Sequence, residues 1–212
     1  MKSIVGKGGS LFKCPMCLAD AEPSGKKCLE RIRKRVEAGD PVSINQLACY
    51  YKDGIMGLPQ DHSKANELFL QSGELGCASS YGCLADSYYN GYGVARSTKK
   101  AKHYWELASI GGNTKSRHNL GNVEESLGNM DRAIQHWMIA ARAGLDHSLE
   151  VLGEYHLKGR ISKDVFDEVV HSYKEATEEM NSKERKAGVE YMATRVLLGH
   201  SHADGRQVWH TD

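Results

Sequence analysis

Cys14 and Cys17 stand three residues apart in Cys14-Pro15-Met16-Cys17. Two thiolates at this spacing grip one side of a tetrahedral zinc ion, which takes four ligands. Thirteen residues precede Cys14, and none is Cys or His. Cys28 is the nearest further thiol, although its position also fits the apolar face of a helix. At the other end, His200, His202 and His210 lie in HSHADGRQVWHTD. That tail is polar enough to be expected as disordered chain rather than as a metal site. No G-x-S-x-G, H-E-x-x-H or phosphate-binding glycine loop occurs, so no catalytic residue is expected.

The remaining side chains of interest need a scaffold to position them. At about 100° per residue, Leu84 and Tyr88 share a helical face. Ala85 beside them is small enough for a second helix to approach. Gly91 and Gly93 allow the chain to reverse. Ala101, Trp105 and Ala108 then form the apolar stripe of a second helix, and Gly111-Gly112 ends it. The same frame recurs with reference leucines at 47, 84, 120 and 152, at intervals of 37, 36 and 32 residues. Such a period indicates stacked helical hairpins, because a lone hairpin cannot bury its apolar face.

The pattern L-[AG]-x-x-Y-x-x-G-x-G-V…K-A-x-x-W-x-x-A…G resembles the Sel1-like repeat, a relative of the tetratricopeptide repeat. Repeat two fits it best, through Leu84, Ala85, Tyr88, Gly91, Gly93, Val94, Lys100, Ala101, Trp105 and Ala108. Repeat one follows with Gly54, Gly57, Leu58, Lys64 and Ala65. Repeat three departs: Glu124 replaces the tyrosine, the turn shortens, and GNMDRAIQHW resembles a tetratricopeptide unit. Repeat four has a divergent second helix. The resemblance implies an all-α, right-handed α-solenoid of stacked antiparallel hairpins, with about four repeats and flanking cap helices. It also implies a protein-binding role.

The expected organisation is a loose segment over residues 1–24, a basic capping helix over 25–39, and the repeat array over 40–181. A cap helix over 182–199 and a tail over 200–212 follow. In 25–39, Leu29, Ile32 and Val36 line one face, and six Lys or Arg residues crowd the rest as a solvated surface. C-P-x-C ahead of a basic helix and such repeats resembles the end of a RING finger, in which this pair would be the last two of eight ligands. Three states of Cys14 and Cys17 stay open: a remnant of a truncated RING, unliganded loop thiols, or a zinc site of another kind.

Hydrophobic content of 40% and charged content of 26% suit a soluble chain. A net charge of +1 gives no overall signal for nucleic acid. No apolar run reaches the ~18 residues of a membrane helix, no secretory leader is apparent, and no Asn-x-Ser/Thr acceptor occurs. Cys49, Cys77 and Cys83 lack a regular spacing and are read as reduced thiols. A cytoplasmic or nuclear location is expected, with no membrane or nucleic-acid partner. No cofactor is expected, and zinc enters only with a full ligand set.

In a stacked array the first helices of successive hairpins line the concave surface. Offsets −5, −2, +2 and +5 from each reference leucine fall at about 220°, 160°, 200° and 140°, away from the hairpin partner. They select Asn45, Cys49 and Lys52; Ser79, Gly82, Asp86 and Tyr89; Lys115, His118, Asn122 and Glu125; and His147, Glu150, Glu154 and Leu157. A protein or peptide partner is expected on this face. Lys115, His118 and Asn122 together suit a peptide carboxylate, as in some tetratricopeptide grooves, and Tyr89 suits an anchoring role. Alanine at Tyr89, Asp86 or Asn122 is expected to leave stability unchanged. Trp105 and Trp137 fall on packing positions. A scaffold or adaptor is thus expected. The alternative is the C-terminal part of a RING-type ubiquitin ligase, which meets a ubiquitin-conjugating enzyme only if its RING is complete.

Overall fold

The computed structural model describes residues 23–180. Cys14, Cys17, the expected cap helix over 182–199 and the tail lie outside them. The described chain runs α1 (Pro23–Glu37), α2 (Pro41–Asp53), α3 (His62–Glu74), α4 (Ala78–Asn90), α5 (Thr98–Ile110), α6 (Thr114–Ser126), α7 (Met130–Arg142), α8 (Asp146–Leu157) and α9 (Lys163–Met180). No strand occurs among the described residues. Helices α2/α3, α4/α5, α6/α7 and α8/α9 are antiparallel hairpins stacked in sequence order as an α-solenoid, with α1 packed on α2.

Local chemistry sets the helix boundaries. Asp40, Asp61, Ser97 and Asn113 accept hydrogen bonds from backbone N–H groups three residues on, which satisfies donors that a helix start leaves open. Gly54 and Gly91 end α2 and α4 at φ of 65° and 83°, a left-handed backbone that costs glycine little. The turn after α4 then docks on the preceding hairpin. Asn66 Nδ2 donates to the Tyr92 carbonyl at 2.7 Å, and the rings of His62 and Tyr92 stack at 5.4 Å.

The core is a chain of local clusters. Cys28, Leu29 and Ile32 of α1 pack against Leu47 and Tyr50, while the Lys and Arg residues of α1 from 26 to 35 stay exposed. Ala48, Ala65 and Phe69 of repeat one close around Leu84 of repeat two. Ala85, Ala101 and Trp105 of repeat two take in Leu120 of repeat three. Ala133 and Trp137 of repeat three take in Leu152 of repeat four, with Ile161 and Val169. Each reference leucine after the first therefore fills the core of the repeat before it. Burying such a side chain stabilises by roughly 1.5–3 kcal/mol, so adjacent repeats stabilise one another.

Candidate functional site

The first helices of the hairpins present a polar groove. Its larger part, about 440 Å³, lies between α4 and α6 and is lined by Ser79, Gly82, Cys83, Asp86, Lys115 and Asn119, with the 111–114 turn at one end. A smaller neighbouring part of about 210 Å³ is lined by Asp86, Tyr89, Asn90, Trp105, Asn119 and Asn122. The helical frame therefore brings Asp86, Tyr89, Lys115 and Asn122 to one surface.

Buried tryptophans hold two of these polar groups in place. Trp105, 3% exposed, donates its indole N–H to Asp86 Oδ1 at 2.9 Å. Trp137, 1% exposed, donates in the same way to Asn122 Oδ1 at 3.0 Å. Asp86 and Asn122 both sit two residues past a reference leucine, and both tryptophans fall on the equivalent second-helix position. The groove acceptors thus satisfy core donors. This corrects the expectation that Asp86 and Asn122 are spare for stability. Asn119 Nδ2 also reaches Asp86 Oδ1, at 3.3 Å. Asp86 is exposed at one edge, yet partial withdrawal of its carboxyl from water pushes it above the ordinary carboxylate range. The Trp105 bond and the Lys52 charge oppose that shift.

Two further expectations are corrected. His118 is 5% exposed, and its Nδ1 lies 2.8 Å from Ser148 Oγ of the next repeat. Burial lowers its affinity for a proton, and His147, 4.7 Å away between ring centroids, lowers it further. His118 is a junction residue and no arm of a carboxylate clamp. Asn45 is half-buried, and its Oδ1 accepts from Ser80 Oγ at 2.8 Å. Gly82 occupies the same offset in repeat two, where an added Cβ would lie 2.9 Å from Ser116 Oγ. The −2 position therefore meets the next repeat, because the neighbouring first helix covers that side.

The serines in these contacts escaped the helical frame. Ser43, Ser80, Ser116 and Ser148 each stand four residues before a reference leucine, and each is 0–1% exposed. Their recurrence in phase with Leu47, Leu84, Leu120 and Leu152 was the available signal. Cys83 and Asn119, at offset −1, also line the groove unforeseen. They fall at about 260°, so the open face is centred further round the helix than expected.

The other expected residues spread along the array. Lys52 lies beside Asp53 at 3.5 Å. Glu125 accepts a hydrogen bond from the Tyr155 hydroxyl of repeat four. Glu150 meets His147 at 3.3 Å and Glu154 meets Lys158 at 3.6 Å, all four well exposed. Tyr89 is 40% exposed, tilted against Trp105 at 5.3 Å with the Arg96 guanidinium over its ring. Glu124 is buried in the place of the repeat tyrosine. Lys102 Nζ at 2.5 Å and Asn129 Nδ2 at 2.8 Å satisfy it and hold its carboxyl below the usual range. Cys49 and Cys83 belong to consecutive first helices, and both pack against the cluster of Ala48, Phe69 and Leu84. No group of three or more His, Cys, Asp or Glu side chains suited to a metal occurs among the described residues.

Residues 41–77 and 81–113 match the family model of the Sel1 repeat. Over 88 residues, 41% of this chain, the sequence is 31% identical to the ERAD-associated E3 ubiquitin-protein ligase component HRD3B of Arabidopsis thaliana. The chain spans 13% of that relative's length. A solved Sel1 repeat protein from Oxalobacter formigenes superposes with a TM-score of 0.62 at 21% identity, covering 71% of this chain and 64% of that one. The protective antigen c5321 of uropathogenic Escherichia coli, which displays an SLR fold, gives 0.59 at 23% identity, with 79% and 36% covered. These two likenesses concern the fold.

Proposed function

We propose that this chain is a non-catalytic adaptor that holds an extended peptide or protein segment along its first helices. The observation that carries this is the polar groove between α4 and α6, where Asp86, Lys115 and Asn119 line one continuous depression beside exposed Tyr89. Aromatic anchors dominate many interfaces, and fixed polar neighbours give register. Lys52 and Lys115 favour the acidic part of a segment near repeats one to three, and Glu125, Glu150 and Glu154 favour a basic part beyond. Sel1 repeats generally serve as protein-interaction scaffolds, in keeping with this reading. A cytoplasmic or nuclear location goes with it, and no described helix is long and apolar enough to cross a membrane.

Selection from a displayed random-peptide library on the full chain tests the proposal. Selected peptides are expected to lose at least tenfold in affinity on Lys115→Glu or Tyr89→Ala, and to keep it on Gln135→Glu of α7. Equal affinity for all of these proteins would remove the groove from consideration.

The similarity to a ubiquitin-ligase component favours one further reading, in which the array is the substrate-choosing part of a ligase assembly. Sequence upstream of Met1 discriminates. Six further Cys/His ligands at RING spacing in one open frame support the ligase reading and complete the set that Cys14 and Cys17 would end. An in-frame stop directly before Met1 leaves the adaptor alone.

A further inference from the structure

We propose that the smaller part of the groove, beside the last turn of α4, is a pocket for one arginine side chain of the bound segment. The inference rests on the groove reading above and deepens it by naming the side chain that the groove selects. The pocket measures about 210 Å³ and is lined by Asp86, Tyr89, Asn90, Asn119 and Asn122, among others. Sites for drug-sized ligands run to roughly 300–1,000 Å³, so this one suits a single side chain.

Existing hydrogen bonds fix which polar atoms remain. Trp105 Nε1 and Asn119 Nδ2 both donate to Asp86 Oδ1, at 2.9 and 3.3 Å. Asp86 Oδ2 is left without a protein partner among the described residues. With its amide nitrogen on Asp86, Asn119 keeps Oδ1 as an acceptor. Asn90 Nδ2 donates to the Asp86 carbonyl at 2.8 Å, and its Oδ1 is left in the same way. Asn122 is the reverse case, since its Oδ1 takes the Trp137 indole N–H at 3.0 Å. Among the described residues, the pocket thus carries three unpartnered carboxylate or amide oxygens, one of them charged, and one unpartnered amide nitrogen.

That inventory suits a donor-rich cation. A guanidinium is planar, has five N–H donors and no acceptor, and stacks on aromatic rings. Tyr89, 40% exposed, supplies the ring. Arg96 already lies over it at 5.7 Å without lining the pocket. Asp86 is the charged group of this part, whereas Lys115 lines the larger one. An anion here would meet a carboxylate already partly withdrawn from water, and a cation offsets that cost. The Lys52 and Lys115 charges act on Asp86 from outside this part, so hydrogen-bond geometry selects the occupant along with charge. Lysine, a point charge on a flexible stem, matches fewer of the acceptors at once.

The test selects displayed random peptides on the full chain. Each arginine of the selected peptides is then changed in turn to citrulline, which keeps the shape and removes the charge. The peptides are expected to share an arginine whose change to citrulline weakens binding about tenfold or more. Lysine at that place should weaken it too. On Asp86→Asn, checked for folding by circular dichroism, the same change should cost less than about threefold, because the charge it answers is gone. The comparison on the unaltered chain decides the matter even if that variant does not fold. Peptides that depend on Tyr89 and Lys115 yet share no arginine, or tolerate citrulline at every arginine, overturn the arginine pocket and leave the groove reading in place. An equal citrulline loss on the unaltered chain and on folded Asp86→Asn overturns it as well. Peptides indifferent to both Tyr89→Ala and Lys115→Glu overturn the pocket and the groove reading together.

Discussion

The Trp105 indole nitrogen donates to Asp86 Oδ1 at 2.9 Å, so a buried core residue depends on a carboxylate that also lines the groove. Trp137 and Asn122 repeat the arrangement one unit on. Groove and core are therefore coupled at these two positions. Asp86→Ala or Asn122→Ala should cost about 1–3 kcal/mol, because each leaves a buried indole N–H without its acceptor. Asp86→Asn keeps an acceptor and should cost less than Asp86→Ala. Urea unfolding followed by circular dichroism measures all three, and a loss near zero for both alanine variants would sever the link.

Small residues one position past the reference leucine set how closely the second helix approaches. A Cβ on Gly121 would lie 2.4 Å from Trp137 Nε1, whereas one on Gly153 would sit at 3.7 Å from the Phe166 ring. Gly121→Ala should therefore destabilise by about 1–3 kcal/mol through overpacking. Gly153→Ala should be neutral or stabilise by up to about 1 kcal/mol, since alanine favours helix. Thermal melts of the two single variants make the comparison, and similar shifts in both would contradict the packing described.

Protonation of the repeat three–four junction should weaken the array. His118 binds its proton less readily in the fold than its ordinary value of 6.5, chiefly through burial. The unfolded chain then takes up more protons than the folded one as pH falls below about 6.5. The His118 contribution is thus complete above that pH and declines beneath it, until the folded-state value is passed. His136, lowered mainly by burial, acts in the same sense. Unfolding free energy measured from pH 7.5 to 5.5 should fall, and the fall should be shallower in His118→Gln. A profile unchanged by that substitution would exclude His118 as a source.

Lys102 reaches across to the buried Glu124 carboxylate in place of the tyrosine–lysine contacts of earlier repeats. There, Lys64 lies over Tyr51 at 4.7 Å and Lys100 over Tyr88 at 5.0 Å. Lys102→Met should cost about 1–3 kcal/mol by leaving the carboxylate with Asn129 as its remaining side-chain partner. Glu124 is held below its ordinary 4.5. Its contribution is therefore present above that pH and lost as pH falls through the folded-state value. Denaturant midpoints of both proteins at pH 7 and pH 4 check this, and an equal gap at the two pH values would count against the pairing.

The repeat frame was legible because it rests on residues with few alternatives: leucine and tryptophan for filling, alanine or glycine for close approach, glycine for the turns. The groove was only half legible. A helical wheel measures direction from one helix axis and is blind to the neighbouring first helix. A wheel alone therefore puts His118 and Asn45 in solvent, although the next repeat covers them. Ser80 and Ser148 give no signal of their own, because a small hydroxyl suits water and a tight junction equally. The helical frame brings Asp86 and Asn122 to the groove but carries no sign of the indoles that hydrogen-bond them there.

The most direct test of the account places a photo-crosslinking amino acid at position 89 and, separately, at position 135 of the full chain, with a library-selected peptide as partner. A covalent adduct that unlabelled peptide competes away is expected from position 89, and none from position 135 on the second helix of repeat three. Adducts from position 135 but not from position 89 would contradict it, because the partner would then bind outside the groove of Asp86, Lys115 and Asn119.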